Sequence, residues 1–420
     1  MASNIAPDSD ENARPRIPDI KILPYVSAAF EELKKAHPNR KFLNINGLYQ
    51  DYEQGCESLI ATDFSVKIRA AVRAYLLKYE EDIALRPDTG DEGNYNRYKF
   101  LSSVMDEASE KGEKMILFSV FLAIAIPTVF MEDGLEELPD VITAVELYMG
   151  LVGESLEVAW DSLNQLADAM VMQLIAPVYR TLGTYTPENE SALEDGEGGS
   201  LVGMSAAGVA EFRNFRLRVF QRDNYTCAVT GKHDTDAETG TVSSRYKVAH
   251  IIPWRLDWNT SRVRAVKNQL GWNLLDIFDA TPSGRLSDSV SRKLHKINNG
   301  LTLDREVHRR FTGLQLWLSY YRETSDVQIY TIGGNIDELY IAPDRKVAFQ
   351  KGYGSPERRL LDIHARISKV ATTSRAINLV KKYTGQNAKA YVKHGPDILS
   401  IDPDALRLRL LGINGATEDL

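Results

Sequence analysis

From Thr184 to Ser200 the chain reads TYTPENESALEDGEGGS, polar, acidic and rich in small residues, with no periodic apolar position. A stretch of this composition has no apolar face to bury and reads as a linker, assigned to residues 184–203. It constrains the fold because the hydrophobic pattern differs on its two sides. Before it the spacing is that of helices; after it, strand-like and helical segments alternate. The expectation is an α+β protein: an all-helical N-terminal domain followed by a mixed domain.

In the first half, ESLIATDFSVKIRAAVRAYLLKYEEDIAL at 57–85 and ESLEVAWDSLNQLADAMVMQLIAPVYR at 154–180 are long runs of good helix formers. In the second run Leu156, Val158, Leu163, Leu166, Met170 and Leu174 recur at steps of roughly three and four residues and give one apolar face. Pro, Gly, Asp and Asn in RPDTGDEGNYN at 86–96 break the helical pattern. Residues 20–183 thus read as a helical accessory domain without visible chemistry. Residues 1–19 lack the basic start and apolar core of a secretory signal and read as a disordered tail. MILFSVFLAIAIPTVFM at 115–131 is shorter than the roughly 20 residues a span needs, contains Pro127 and leads into an acidic flank. A buried core helix is expected there, and no membrane partner.

Behind the linker, FRNFRLRVFQRDN at 212–224 reads as a helix ending at Arg222-Asp223-Asn224, and CAVTG at 227–231 as a turn. The strand-like YKVAHIIPW follows, then an insert from Arg255 to Lys296, an asparagine loop and a helix from about Asp304. Residues 204–325 are assigned to this domain. Residues 326–420 form an extension in which VQIYTI and ELYIAP make a hairpin, VAFQKG adds a third strand and SPERRLLDIHARISKVAT makes a helix. Nothing beyond about Thr373 is assignable.

Charge is divided as unevenly as pattern. The whole chain is −8, yet residues 204–325 hold 19 Lys+Arg against 12 Asp+Glu, and residues 1–203 hold 17 against 35. The basic segment suits contact with phosphates through counterion displacement. The two cysteines, Cys56 and Cys227, are far apart and in no ligand pattern, which excludes a disulfide scaffold and fits a reducing, intracellular compartment.

Two runs in the basic segment carry candidate chemistry: VAHIIPW at 248–254 and NNGLTLDREVHRRF at 298–311, which supply His250, Asn299 and His308 in order. A neutral imidazole, with an ordinary pKa near ~6.5, can take a proton from water at cellular pH, so His250 is the candidate general base. The Asn299 carboxamide offers a donor and an acceptor that do not titrate and suits fixing that ring. Asp304 and His308 lie four residues apart on one helix face and can hold a cation jointly. Asp304 equally suits the N-cap of its helix, with its side chain on the amide of Val307.

The ordered triplet, with its AHIIP, NGL and HxxF dressing, resembles the HNH nuclease signature, and about 204–370 is similar to fungal-type HNH proteins with a ββα-metal core. The resemblance implies two strands and a helix around one divalent metal ion, hydrolysing phosphodiester bonds in nucleic acid, with DNA expected. Mg²⁺ is the usual ion, with Mn²⁺, Ni²⁺ and Zn²⁺ as alternatives. It also implies that His250 is the base, that Asn299 orients it and that His308 binds the metal. Three departures qualify the pattern. Ala249 stands where many HNH enzymes carry an Asp or His ligand, leaving Asp304 as the substitute. Thr312 stands where this subfamily usually has Asp. CAVT at 227–230 keeps only Cys227 of the paired CxxC motifs in zinc-stapled relatives, so no structural zinc is expected.

Phosphate contact is expected from Arg213, Arg216, Arg218 and Arg222 on the leading helix, Arg262, Arg264 and Lys267 in the insert, and Arg305, Arg309 and Arg310 beside the site. The acidic helical domain is the expected surface for a protein partner. The competing expectation is an HNH-fold module whose metal site has decayed and which binds nucleic acid or protein.

Overall fold

The computed structural model describes residues 64–84, 95–110, single positions between 112 and 123, 150–151, 154–179, 206–236, 245–253, 275–280, 286, 295–320, 327–331, 346–347 and 354–384. The N-terminal tail, the acidic linker, ELYIAP and the insert positions Arg262, Arg264 and Lys267 lie outside the described residues.

In the helical half, α1 (Phe64–Ala84) buries Val72, Tyr75, Leu76 and Tyr79, the stripe that a 3.6-residue period produces. Helix α2 (Arg97–Glu107) starts at Asn96, whose side chain accepts from the Lys99 amide at 2.8 Å, and buries Phe100, Leu101, Val104 and Met105. Helix α3 (Glu154–Met170) passes through one π-helical turn, Val171–Ile175, into the short α4 (Ala176–Tyr179). Arg97 binds both oxygens of Asp168 at 2.8 Å and ties α2 to α3. In the apolar run, Ile116, Leu117, Val120 and Ala123 are helical and buried in the same core. No helix among the described residues is long and apolar enough to cross a membrane.

The second half begins with α5 (Ala206–Arg222), which buries Phe215, Val219 and Phe220 and ends where its sequence suggested. The chain then reverses through Asn224 and Tyr225, both left-handed with φ of 48° and 52°, into the Cys227–Gly231 turn. Strand β1 (Tyr246–His250) pairs antiparallel with β2 (Gly300–Asp304), Tyr246 opposite Asp304 and His250 opposite Gly300. Helix α6 (Arg305–Thr312) follows directly. A second sheet takes the order β3 (Leu316–Tyr320), β4 (Val327–Thr331), β5 (Lys346–Val347), so the expected third strand exists as a short edge. Helices α7 (Arg358–Thr373) and α8 (Ala376–Thr384) close the described chain, α8 in the segment that sequence left unassigned.

Helix α7 joins the halves. One side packs on β3 and the other on α2. Lys369 pairs with Glu107 at 3.2 Å, Arg366 donates to the Glu107 carbonyl, and the Asn96 amide donates to Ser374 O at 2.9 Å. Gly112 lies so close to Ile277 that a Cβ there would sit 1.9 Å from the Ile277 carbonyl oxygen. One hydrophobic cluster runs from Val72 to Val380, so the core does not divide at the acidic stretch.

At the centre of α7 the ring of His364 stacks on Phe311 of α6 at 3.9 Å and 7°. Burial pushes its pKa down to about 3, against a hydrogen bond with the Phe311 backbone. The ring is therefore neutral in the fold, whereas the unfolded chain protonates it near pH 6.5. Its contribution is complete above about pH 6.5 and is lost as pH falls toward 3, at about 1.4 kcal/mol per pH unit. Urea unfolding at pH 6.5 and pH 5 should show His364→Leu losing about 2 kcal/mol less than the parent over that interval. Equal losses in both proteins would refute this account.

Candidate functional site

Gly300 sets the geometry. A Cβ there would lie 2.5 Å from Val219 Cγ2 and 2.8 Å from Phe215 Cζ, so only glycine lets α5 rest flush on the start of β2. This contact brings Phe215 and Phe212 over the strand end that carries His250. The His250 ring stacks on Phe215 at 4.3 Å and lies near-parallel to Phe212 at 5.9 Å. Its Nε2 faces Nδ1 of His295 at 3.1 Å. Removal from water, then the positive potential of His295 and His308, holds the His250 pKa well below its ordinary value. A ring in this setting is neutral at cellular pH.

Asn299 is buried at 1% exposure at the end of a 3₁₀ turn, Ile297–Asn299. Its Oδ1 accepts from the Ile252 amide at 2.8 Å and its Nδ2 donates to the Ile252 carbonyl at 2.9 Å. The Ile251 amide donates to Asn299 O at 2.9 Å. A carboxamide thus imitates one more strand residue, extending the pairing past His250 and fixing Ile251 and Ile252. The sequence expectation was a contact with the ring; these bonds instead position the main chain that follows it.

His308 lies half-buried on α6 and close enough to His250 to disfavour its protonation. Of the two roles open to Asp304, the structure gives it the cap. Its Oδ1 accepts from the Glu306 amide at 3.1 Å, not from Val307 as expected, and its Oδ2 accepts from Arg245 Nε at 2.9 Å. It also pairs with Tyr246, four strand positions from His250, or about 13 Å along the ladder. The shared ligation with His308 expected from the spacing is not what these contacts show: the carboxylate is taken by the Glu306 amide and by Arg245. Ala249 is 1% exposed, on the core side of a strand whose next residue, His250, points the other way. Thr312 turns its hydroxyl back onto the His308 carbonyl at 2.8 Å.

Imidazoles converge, but the expected carboxylate is elsewhere, and among the described residues no group of three or more His, Cys, Asp or Glu side chains could hold a metal ion.

The arginines separate by burial. Arg213 and Arg218 are exposed on α5, and Arg216 is half-buried with its guanidinium over Phe220 at 6.0 Å. Arg222 is 3% exposed and serves the fold: Nε and Nη2 bind Asp223 at 2.7 Å, Nη1 donates to Ile297 O at 2.6 Å and Nη2 to Gly300 O at 2.8 Å. That corrects its assignment to phosphate, since a buried, fully engaged guanidinium cannot reach one. Arg305 is exposed; Arg309 and Arg310 both bind Glu306, whose carboxyl they hold below its usual range.

His295, Phe212 and Phe215 are the site members that sequence reading did not identify as such. The signal available was the four-residue spacing from His295 to Asn299, within a segment read as insert.

The HNH endonuclease family model matches residues 227–316, from the Cys227 turn to the first residue of β3. The matched segment contains His250, His295, Asn299 and His308. No match was found among curated proteins or solved structures. The likeness of this segment to HNH endonucleases suggests nuclease activity on nucleic acid, and HNH domains generally use a divalent metal ion.

Proposed function

We propose that this chain is a metal-dependent nuclease of the HNH type that hydrolyses phosphodiester bonds, with DNA as its substrate and His250 as general base. The His250 ring stacked on Phe215 and facing His295 at 3.1 Å, inside the matched segment, is the observation that carries this reading. A neutral imidazole can remove a proton from water as the oxygen attacks phosphorus; the phosphorus–oxygen bond to the leaving group then breaks and that oxygen is protonated in turn. Phe212 and Phe215 pack against the ring and fix its orientation. Asn299 fixes the backbone behind it. His308 is the residue that would hold a divalent ion, and such an ion would supply polarisation of the phosphate and stabilisation of the leaving oxygen. Arg213 and Arg218, exposed on α5, and Arg305, exposed at the start of α6, are assigned to backbone phosphates.

The engaged Asp304 and core-facing Ala249 favour a second reading, a decayed HNH module that binds without cutting. One assay separates the two. Supercoiled plasmid incubated with the full chain and Mg²⁺ or Mn²⁺ should convert to nicked circle, and chelator should stop the conversion. Retarded but uncut plasmid under every ion would establish the binding module instead.

A further inference from the structure

We propose that His295 is the positioning residue of the general base, the group that holds His250 in the one tautomer able to accept a proton; this rests on the nuclease reading above. Between His250 Nε2 and His295 Nδ1, 3.1 Å apart, a hydrogen bond has room for one proton. Each neutral imidazole carries a single N–H, so the owner of that proton decides which nitrogen of His250 has a lone pair. If Nε2 of His250 donates, its Nδ1 is the basic nitrogen and can take the proton of water. If Nδ1 of His295 donates, the hydrogen of His250 sits on Nδ1 and that nitrogen is no longer a base. Competence therefore requires His295 to accept.

The surroundings make that choice consequential. The His250 ring stacks on Phe215 at 4.3 Å and lies near-parallel to Phe212 at 5.9 Å, and the His295 ring meets the same two phenylalanines, each at 5.7 Å. Beside two aromatic rings a lost hydrogen bond between the imidazoles is not readily replaced in the same geometry. The role of fixing the ring, which sequence placed on Asn299, falls to His295 because the Asn299 carboxamide is bonded to the Ile252 main chain. The two residues divide the task. Asn299 sets where the backbone of His250 lies, and His295 sets which ring nitrogen is basic.

The test combines ring-nitrogen NMR of ¹⁵N-histidine-labelled full chain with plasmid-nicking kinetics, on the parent and on His295→Leu and His295→Asn. The parent should show His250 as the Nε2–H tautomer. His295→Leu should show a tautomer mixture and a kcat about 10- to 100-fold lower at unchanged KM. His295→Asn, whose side-chain oxygen falls near the position of Nδ1, should keep the tautomer and recover most of kcat. A parent ring protonated at Nδ1, or a folded His295→Leu with the parent's tautomer and kcat, would overturn the proposal. An inactive parent with the expected tautomer would instead strike at the nuclease reading and leave the positioning role standing. Should His295→Leu fail to fold, the parent spectrum and the asparagine variant still decide.

Discussion

His250→Ala should lower plasmid nicking by about 10²- to 10⁴-fold, the ordinary contribution of a positioned general base. The loss belongs in kcat and kcat/KM together, because proton removal from water occurs only in the transition state. KM should be unaffected. The parent also carries a pH signature. The base works only when unprotonated, so activity disappears as pH falls through its pKa, and burial with two neighbouring histidines has moved that pKa well below 6.5. The acid limb of the kcat profile should therefore lie below the range of an ordinary histidine. Nicking that survives in His250→Ala, or an acid limb at or above 6.5, would remove His250 from the reaction.

Arg222→Met should destabilise the fold by about 3–5 kcal/mol, measured by urea unfolding at neutral pH. The guanidinium is 3% exposed and joins the end of α5 to Asp223, the 3₁₀ turn before Asn299 and the first residue of β2. Asp223 is also held by the Thr302 amide at 2.9 Å, so it would stay in place as a buried carboxylate without its counter-charge. Adding Asp223→Asn should recover part of the loss, because the penalty is mainly the stranded charge. Arg222→Lys should not substitute, since an ammonium cannot span a carboxylate and two carbonyls with a rigid fork. A cost below about 1 kcal/mol would mean that this network contributes no more than a surface pair.

The elements that sequence made legible are those whose own periodicity encodes them. The stripe Val72, Tyr75, Leu76, Tyr79 and the apolar face of SPERRLLDIHARISKVAT each follow a helical step, and both segments are helices. Strand β2 was hidden for the opposite reason: Gly300 through Leu303 are all buried, so no polar alternation marks GLTLD as a strand. Arg222 was read as surface because residue type alone gives its charge and not its partners. The acceptors Ile297 O and Gly300 O lie more than seventy positions away in sequence. His295 was missed on similar grounds, since a ring pair made by a chain reversal leaves no periodic trace. Asp304 shows the limit of pattern most clearly. One spacing allowed a cap and a ligand alike, and only the position of Arg245, on the adjoining strand end, distinguishes them.

The seat of α7 between β3 and α2 changes what the acidic stretch can do. If the two halves met only through a tether, cutting it would release a catalytic fragment. With a shared core, the halves relate to each other as the subunits of an obligate heterodimer, and the tether acts by raising their effective concentration. A protease acting at 184–203 would then leave a noncovalent two-chain complex. Acidic and basic halves would remain paired through apolar contact rather than through their opposite net charge, and added salt would not separate them.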